Sequence, residues 1–535
     1  MGPDRKAVLY TVLTVLACAV FVRVWGLWDW WLNPDEAMIL SISCRETLSD
    51  LFNAAGRQAH PPLHYLILRS VLALTSNLFV LRLTSLIPAL VAVVVAYYFC
   101  RRAIGTAAGV AAAMIVSFGY GPLILSQVTR PYALLGLIIT GMLWSFVSFM
   151  NMRGAPALAV YSALASLALV LHYSASIAVA ALGIAGLLTL IVIRATAPEF
   201  IRWLAGHIVP AIILLAFYWG HLSDISASRE VWTAGYLAPG FFDGPAGLWE
   251  NARSVFYFCF HRPVYHLFAI LFLIGLYSLW VKGRKSLSVA VIIVFILNIV
   301  LAVWHKYPFI GSRHAFFLFP FVMVSCAAGI SIIGDFAVSV VGRKRALYTG
   351  CGIAVAASLL ISFYYSSENL LRGYGPVAKN EFALTRESYL GALHYLKENA
   401  GHEDTIITTE QTADYIAFDT GDCDEMELGE GTYKVTYEGM DFYYVKIFWS
   451  FRSREDFEQV FARMDSIIPL SEDGTVFVFN VGYGNALLEE ALARFLEEHT
   501  ARVEKAEAEG AVVFLVPGQL AEKAAENSRK LLPSP

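Results

Sequence analysis

The sequence predicts a polytopic α-helical membrane protein with about 11 transmembrane helices, followed by a C-terminal soluble α/β domain. Hydrophobic residues make up 57% of the 535 residues and charged residues 15%, a composition far more apolar than a soluble domain requires. Charge is uneven: residues 1–365 carry 24 basic and 12 acidic side chains, whereas residues 366–535 carry 15 and 31. We therefore predict a transmembrane domain over 1–365 and an extracytoplasmic, water-exposed domain over 366–535.

The transmembrane prediction depends on apolar runs of about 20 residues, the length that crosses the hydrocarbon core. These runs lie near 7–27, 78–100, 105–125, 131–150, 156–172, 174–194, 203–221, 263–281, 286–304, 314–333 and 346–364. With 11 crossings, the basic clusters between them all fall on one side. This positive-inside pattern predicts a multi-pass protein of the cell membrane, with a cytoplasmic N-terminus and an external C-terminal domain.

Two N-terminal segments allow a second interpretation. The first run follows Arg5 and Lys6 as in a signal peptide, but it continues without a clear cleavage site, so we interpret it as an uncleaved transmembrane helix. The apolar stretch from His60 to Leu74 would invert the later loops if it crossed the membrane. We predict that this stretch is a helix at the membrane surface, begun by Pro61 and Pro62.

The acidic C-terminal region alternates between helical and strand patterns, which is typical of an α/β domain. Helices are predicted over Glu387–Glu398 and Ala486–Glu498, and strands over Thr405–Thr409, Thr475–Asn480 and Val512–Val516. Its acidic balance disfavours nucleic acid as a partner. The seven cysteines show no metal-site or redox spacing, but a disulfide among Cys44, Cys259 and Cys423 is geometrically possible.

Polar residues form five clusters that all map to the predicted outer face. They are Trp30 to Ala37 with the pair Asp35 and Glu36, His60 to Tyr65 with His64, Arg130 to Tyr132, His172 with Tyr173, and Lys306 to Pro308 with Arg313 and His314. Each has a structural explanation: Asp35 and Glu36 could complement a helix dipole, and an arginine could extend to the interface. Together, carboxylates, cations and aromatic groups on one face favour a site for an anionic, lipid-borne substrate, because a guanidinium binds phosphate oxygens in a bidentate fork.

The order of these motifs resembles the protein mannosyltransferase and aminoarabinose transferase group of the GT-C fold glycosyltransferases, over about residues 1–365. The matching motifs, in chain order, are Asn33-Pro34-Asp35-Glu36-Ala37, His60-Pro61-Pro62-Leu63-His64-Tyr65-Leu66, Arg82-Leu83-Thr84-Ser85, Thr129-Arg130-Pro131-Tyr132-Ala133-Leu134 and Arg313-His314.

The resemblance implies a membrane glycosyltransferase that moves a sugar from a polyprenyl-phosphate donor to an extracytoplasmic acceptor with inversion. Asp35 would accept the proton of the attacking hydroxyl, and Glu36 would orient the acceptor or support a neighbouring cation. Arg130 and Arg313 would stabilise the leaving phosphate. The predicted catalytic residues are Asp35 and Glu36. The predicted substrate-binding residues are His60, His64, Tyr65, Arg130, Tyr132, His172, Lys306 and Arg313.

The same residues bear on cofactors and on other classes of function. Asp35, Glu36, His60 and His64 include suitable ligands for a divalent metal, but we predict that no ion is obligatory. The alternative function is a transporter or flippase of a lipid-linked glycan, which favours mid-membrane polar groups and repeated halves that this sequence does not show clearly. A membrane-anchored receptor would leave the outer clusters unexplained. The sequence leaves open the sugar and whether the acceptor is protein, lipid or glycan.

Overall fold

A computed structural model describes most of the chain, and its contacts divide it into two units. The described residues are 3–25, 27, 31–56, 58, 60–222, 240, 244–260, 264–372, 386–401, 404–421, 426–429, 432–445, 474–481, 504–508 and 511–517. The first unit, called the membrane unit below, comprises Met1–Trp25, Ala55–Ile67 and Ser76–Arg372. The second, called the C-terminal unit, comprises Gly26–Ala54, Leu68–Thr75 and Gly373–Pro535. The segment carrying Asp35 and Glu36 thus belongs to the C-terminal unit.

Helices dominate the described chain. In order they are α1 Pro3–Val24, α2 Pro34–Ser43, α3 Leu48–Gly56, α4 Leu63–Leu72, α5 Leu78–Ala103, α6 Thr106–Phe118, α7 Tyr120–Leu125, α8 Tyr132–Met152, α9 Ala155–Leu171, α10 Ala175–Val192, α11 Ala197–Ala205, α12 Ile208–Phe217, α13 Gly244–Phe260, α14 Tyr265–Val281, α15 Lys285–Val303, α16 Phe319–Val341, α17 Arg343–Arg372, α18 Arg386–Asn399 and α19 Glu410–Thr420. A 3₁₀ turn, Arg313–Leu318, precedes α16.

Among these residues, eight helical segments are long and apolar enough to cross a membrane, and a bent pair, α13 with α14, makes up to nine. The predicted fold class, a polytopic membrane protein with a C-terminal α/β domain, is confirmed. Every predicted run contains an apolar helix, but two of the 11 are not among these candidate spans. Residues 105–125 break at Gly119 into α6 and α7, and α9 has 17 residues. The stretch after Pro61-Pro62 forms α4, which has 10 residues and is too short to span a bilayer.

Small residues let the membrane helices approach closely. Helices α14 and α16 meet at Gly275 and Gly329, where an added Cβ would overlap the backbone carbonyls of Ser325 and Leu271. Backbone contact of this kind is a common way to associate helices in lipid, where burial of apolar surface gives little driving force. Helix α5 packs against both α6 and α8, and this contact fixes the loop before α8 that carries Arg130.

A buried arginine joins the first helix to the end of α6. The guanidinium of Arg23 donates to the carbonyl oxygens of Ser117 at 2.6 Å and Val116 at 2.7 Å, and its side chain is fully buried. These carbonyls lie in the last turn of α6, where no further helical N–H groups remain to pair with them. Arg23 therefore supplies donors to a helix end inside the protein.

We expect Arg23→Met to lower the melting temperature of the detergent-solubilised protein by several degrees. The substitution removes the donors to two buried carbonyls, and each group left unpaired costs about 1–3 kcal/mol. The measurement is thermal unfolding followed by intrinsic fluorescence. Arg102→Met, at an exposed position on α5, is the matched control and should melt near the wild-type temperature. Equal melting of all three proteins would show that these hydrogen bonds contribute little.

A mixed seven-stranded sheet forms the core of the C-terminal unit. Its strands are β1 Thr405–Thr408, β2 Met426–Gly429, β3 Thr432–Tyr437, β4 Met440–Val445, β5 Thr475–Val481, β6 Glu504–Ala508 and β7 Ala511–Pro517, in the order β2-β3-β4-β1-β5-β7-β6. Strand β1 is parallel to both neighbours, with Ile406 opposite Phe442 on one side and Phe477 on the other. All four residues of β1 are buried, as expected for a central parallel strand.

The predicted elements of this unit are confirmed where the structure describes them. The predicted helix corresponds to α18, and the three predicted strands to β1, β5 and β7. The predicted helix Ala486–Glu498 lies outside the described residues. Helix α19 and strands β2, β3, β4 and β6 were not predicted.

The cysteines narrow the disulfide that the sequence left open among three positions. Cys44, at the end of α2, is disulfide-bonded. Cys259 is free and buried in α13, so it is not a partner in that disulfide. Cys423, the third residue considered, lies outside the described residues.

Candidate active site

A group of buried polar side chains in the membrane unit, called the cationic cluster below, gathers residues from three separate sequence motifs. His60 precedes α4, His172 follows α9, and Arg130 lies just before α8 with Tyr132 at its first position. The rings of His60 and His172 lie 5.0 Å apart, and those of Tyr132 and His172 lie 5.3 Å apart. The Arg130 guanidinium carbon is 5.7 Å from the centre of the Tyr132 ring. Four residues from three distant segments of the chain thus form one polar group.

Arg130 is held by its backbone. The Ser85 hydroxyl donates to the carbonyl oxygen of Arg130 at 2.9 Å, and the amide N of Arg130 lies 3.3 Å from the same hydroxyl oxygen. Ser85 lies in the first third of α5, so these bonds tie the Arg130 loop to a membrane helix. The backbone that carries this guanidinium is therefore held by a membrane helix. Arg130 is only 4% exposed, and a charged side chain is costly to bury.

The hydrogen bonds of His172 identify the proton on its ring. The backbone N–H of Ser174 donates to His172 Nδ1 at 3.1 Å, so Nδ1 accepts and the proton of a neutral ring lies on Nε2. Nε2 of His172, Nδ1 of His60 and the hydroxyl of Tyr132 are buried and lack a hydrogen-bond partner among the described residues. Buried polar atoms of native proteins normally have hydrogen-bond partners. These three atoms of one cluster are therefore available to bind a ligand.

Burial and several neighbouring side chains lower the pKa of His60. Burial lowers the pKa of His60 well below its ordinary value, and the charges of its neighbours lower it further. Those neighbours, in decreasing order of effect, are His172, Arg130, His314 and Arg313. His60 is therefore neutral near pH 7, and the positive charge of the cluster comes from its arginines. A bound anion would offset the positive charge of these arginines.

The low pKa of His60 has a consequence for stability. Because the folded-state pKa is depressed, the unfolded chain binds a proton first as the pH falls below about 6.5, and folding then loses up to about 1.4 kcal/mol per pH unit. We expect the melting temperature of the wild type to fall between pH 7.5 and 5.5, and His60→Gln to flatten that fall.

The comparison uses thermal melting in detergent at three pH values. His394→Gln replaces an exposed histidine of α18 and serves as the control. It should follow the wild-type curve. Parallel curves for wild type and His60→Gln would mean that His60 is not the group that titrates.

The remaining predicted substrate-binding residues differ in their surroundings. His64, on the first turn of α4, is buried, and the charge of Arg130 reaches it. Tyr65 is fully buried on the same helix. Arg313 is half-buried at the start of the 3₁₀ turn, whose position is set by a 2.8 Å hydrogen bond from the Tyr307 hydroxyl to the carbonyl of His314. Lys306 is exposed, so the structure does not place its side chain among the buried groups.

The carboxylate pair, Asp35 and Glu36, lies in the first turn of α2, in the C-terminal unit. Asn33 caps the helix by accepting from the Glu36 amide at 3.0 Å, and the Glu36 carboxylate accepts from the Asn33 amide at 3.2 Å. This reciprocal capping box, with Pro34 in the first turn, gives Glu36 a structural function that explains its full burial. The two capping bonds do not use the carboxylate of Asp35. Asp35 is 8% exposed at the same helix end.

Two positioning residues were missed by sequence reasoning. Ser85 appeared in a motif but had no assigned function, because a serine within an apolar helix gives no signal of its partner 45 residues away. Ser174 was absent from the predicted site, although a serine two residues after a histidine is a common local hydrogen-bond partner. Among the described residues, no group of three or more histidine, cysteine, aspartate and glutamate side chains is placed to hold a metal ion.

The membrane helices and the C-terminal sheet define a multi-pass membrane protein with a C-terminal α/β domain. Its similarity to the solved structures of ArnT and AglB shows the GT-C fold, which the motif order predicted. No protein-family model matches the chain, and no curated protein matches it. Solved structures do. ArnT from Cupriavidus metallidurans in the apo state matches with a TM-score of 0.54 at 13% identity, over 96% of this chain and 99% of that chain. Its structure bound to undecaprenyl phosphate has a TM-score of 0.54 at 14% identity, over 95% and 98%.

A second similar structure is the archaeal oligosaccharyltransferase AglB from Archaeoglobus fulgidus, in complex with an inhibitory peptide and a dolichol-phosphate. It has a TM-score of 0.52 at 11% identity, over 90% of this chain and 70% of that chain. For the apo crystal structure of an Archaeoglobus fulgidus oligosaccharyltransferase, this chain spans 64% of the length. At such identities the similarity establishes the fold.

Proposed function

We propose that this protein is a membrane glycosyltransferase that transfers a sugar from a polyprenyl-phosphate donor to an acceptor outside the cytoplasm, with inversion. The observation that carries the proposal is the cationic cluster: a buried arginine beside three buried polar atoms that have no protein partner among the described residues. An anion bound there would satisfy donors that are otherwise costly to bury. The structure of ArnT with undecaprenyl phosphate and that of AglB with a dolichol-phosphate support a lipid phosphate as this anion.

In this proposal, the cluster binds the donor phosphate. Arg130 and Arg313 stabilise the negative charge that grows on the phosphate as the bond to the anomeric carbon breaks. The Nε2–H of His172 and the hydroxyl of Tyr132 donate to phosphate oxygens, and neutral His60 contacts the same group. His64, Tyr65 and Lys306 complete the predicted substrate-binding set.

Asp35 is the proposed base. It accepts the proton of the acceptor hydroxyl as the oxygen attacks the anomeric carbon from the face opposite the phosphate, so the sugar is inverted. The lipid phosphate leaves with one more negative charge, and the carboxylate of Asp35 gains one proton, so the total charge is unchanged. Glu36 supports this step by keeping α2 capped and by orienting the acceptor. No step requires a metal ion, and we propose that none is obligatory.

The proposal is tested with purified protein and a panel of radiolabelled polyprenyl-phosphate sugars, by following release of the lipid phosphate in the presence of protein, lipid and glycan acceptors. Release with at least one donor establishes the reaction class. No release with any donor, together with movement of labelled lipid across a reconstituted bilayer, would replace the enzyme by a flippase.

A further inference from the structure

Helix α2, which belongs to the C-terminal unit, is buried along its whole length. All ten residues from Pro34 to Ser43 are buried, including both carboxylates at its start. Its main partner in that unit is α19, the helix that follows the central strand β1. A helix with no exposed face takes its position from its neighbours, since nothing in its own sequence orients it towards water.

Helix α19 contacts α2 near both ends. At the start, the Tyr415 hydroxyl donates to the carbonyl oxygen of Leu32 at 2.9 Å, one residue before the capping Asn33. Near the other end, the Ser41 hydroxyl donates to the carboxylate of Asp414. Two hydrogen bonds separated by most of the helix length fix both its position and its rotation.

Aromatic rings extend the first of these contacts. Trp31 stacks on Tyr389 of α18 with ring centres 6.3 Å apart, and Tyr389 lies 6.1 Å from Tyr415. Tyr389 and Tyr415 are fully buried. The segment just before Asp35 is therefore held by two helices of the C-terminal unit through rigid side chains.

Helix α19 is itself anchored to the sheet. Its N-cap, Thr409, donates to the side-chain oxygen of Asn480 on β5 at 2.8 Å, and the amide of Thr412 donates to Thr409 Oγ1 at 3.2 Å. The backbone amide of Val481 donates to Thr412 Oγ1 at 3.0 Å. These bonds hold α19 against β5, a strand beside β1. Since α19 in turn holds α2, they position α2 relative to the sheet.

We propose that Tyr415 and Asp414 are positioning residues that hold α2 so that Asp35 can act as the base. The inference rests on the proposed function, and it assigns the C-terminal unit a function in catalysis. A general base must lie within hydrogen-bond reach of its proton, and a displacement of about 1 Å can cost about 100-fold in rate. Loss of one contact at the Asp35 end of α2 should therefore lower kcat without changing how the donor binds.

The test measures kcat and KM of lipid-phosphate release for Tyr415→Phe and Ser41→Ala. We expect kcat to fall about 10-fold for each variant, with the donor KM within about 2-fold of wild type. Tyr443→Phe is the matched control, because it removes a tyrosine hydroxyl that contacts Asp441 on β4 of the same sheet. It should keep wild-type kcat. An unchanged kcat in both Tyr415→Phe and Ser41→Ala would overturn the inference.

A second comparison separates positioning from general damage to the fold. In an Asp35→Asn background, Tyr415→Phe should cause no further loss of residual release, because its effect passes through Asp35. Multiplied losses would show that Tyr415 acts elsewhere and would contradict the inference.

Hydrogen exchange of the α2 amides measures the contact without reference to activity. We expect faster exchange in Tyr415→Phe and Ser41→Ala than in wild type and Tyr443→Phe. Faster exchange with unchanged kcat would show that α19 holds α2 but does not position a base. If the wild type releases no lipid phosphate from any donor, the proposed function itself fails; if the wild type is active and these variants are too, this inference alone fails.

Discussion

Asp35→Asn should release lipid phosphate at less than about one-hundredth of the wild-type rate, because positioned acid–base catalysis contributes about 100- to 10,000-fold. Asparagine keeps the shape of the side chain and accepts a hydrogen bond, but it cannot take the proton of the acceptor hydroxyl. The capping bonds of α2 use Asn33 and Glu36, so the helix should persist in the variant. The measurement is the rate of release, alongside donor binding, which should change little.

Two further variants sharpen that comparison. Asp50→Asn makes the same chemical change in the first turn of the next helix, α3, and should be as active as wild type. Glu36→Gln keeps a side chain that can complete the capping box while removing its charge. It should leave α2 folded and raise the KM for the acceptor. Near-normal turnover in Asp35→Asn would exclude Asp35 as the base.

Arg130→Ala should weaken binding of the lipid-phosphate donor by about 10- to 100-fold. A hydrogen bond to a charged group contributes about 1.5–3 kcal/mol, and a tenfold change in affinity corresponds to about 1.4 kcal/mol. Arg130→Lys keeps the charge but loses the planar fork, so its affinity should lie between those of wild type and Arg130→Ala. The measurement is equilibrium binding of labelled polyprenyl phosphate to the purified protein.

Arg101 is the matched control for Arg130, because its guanidinium also lies beside a tyrosine ring. Arg101 on α5 lies 5.7 Å from the centre of the Tyr97 ring, the distance found between Arg130 and Tyr132. Arg101→Ala removes a comparable cation–π contact without touching the cationic cluster, and should bind the donor as wild type does. Unchanged affinity in Arg130→Ala would leave that side chain a structural function only.

Much of the fold could be predicted because the positions of membrane helices follow from the apolar composition of the chain. A helix in lipid needs a continuous apolar stretch, so the helices of the membrane unit are visible as hydrophobic runs. The breaks inside those runs were harder to predict. Gly119 separates α6 from α7 within one apolar stretch, and hydropathy alone gives no sign of that boundary.

Prediction was weaker in the C-terminal unit. Strands β1, β5 and β7 are apolar and buried, and their composition indicated them. Strand β6 (Glu504–Ala508) and strand β2 (Met426–Gly429) carry charged or small residues, so their pairing comes from the neighbouring strand. Helix α19, which is polar at several positions and only 11 residues long, has no clear periodicity. Tertiary contacts overrode weak local preferences in each case.

The sequence by itself determined the fold class, the polar motifs and the residue types that can bind an anion, because each follows from local composition. Only the tertiary structure decided which motifs meet. It brought His60, Arg130 and His172 together through helix packing, and it grouped the Asp35 helix with the C-terminal unit rather than with the membrane helices that flank it in sequence. Such long-range contacts depend on the shape and packing of whole helices, and no local pattern of residues encodes them.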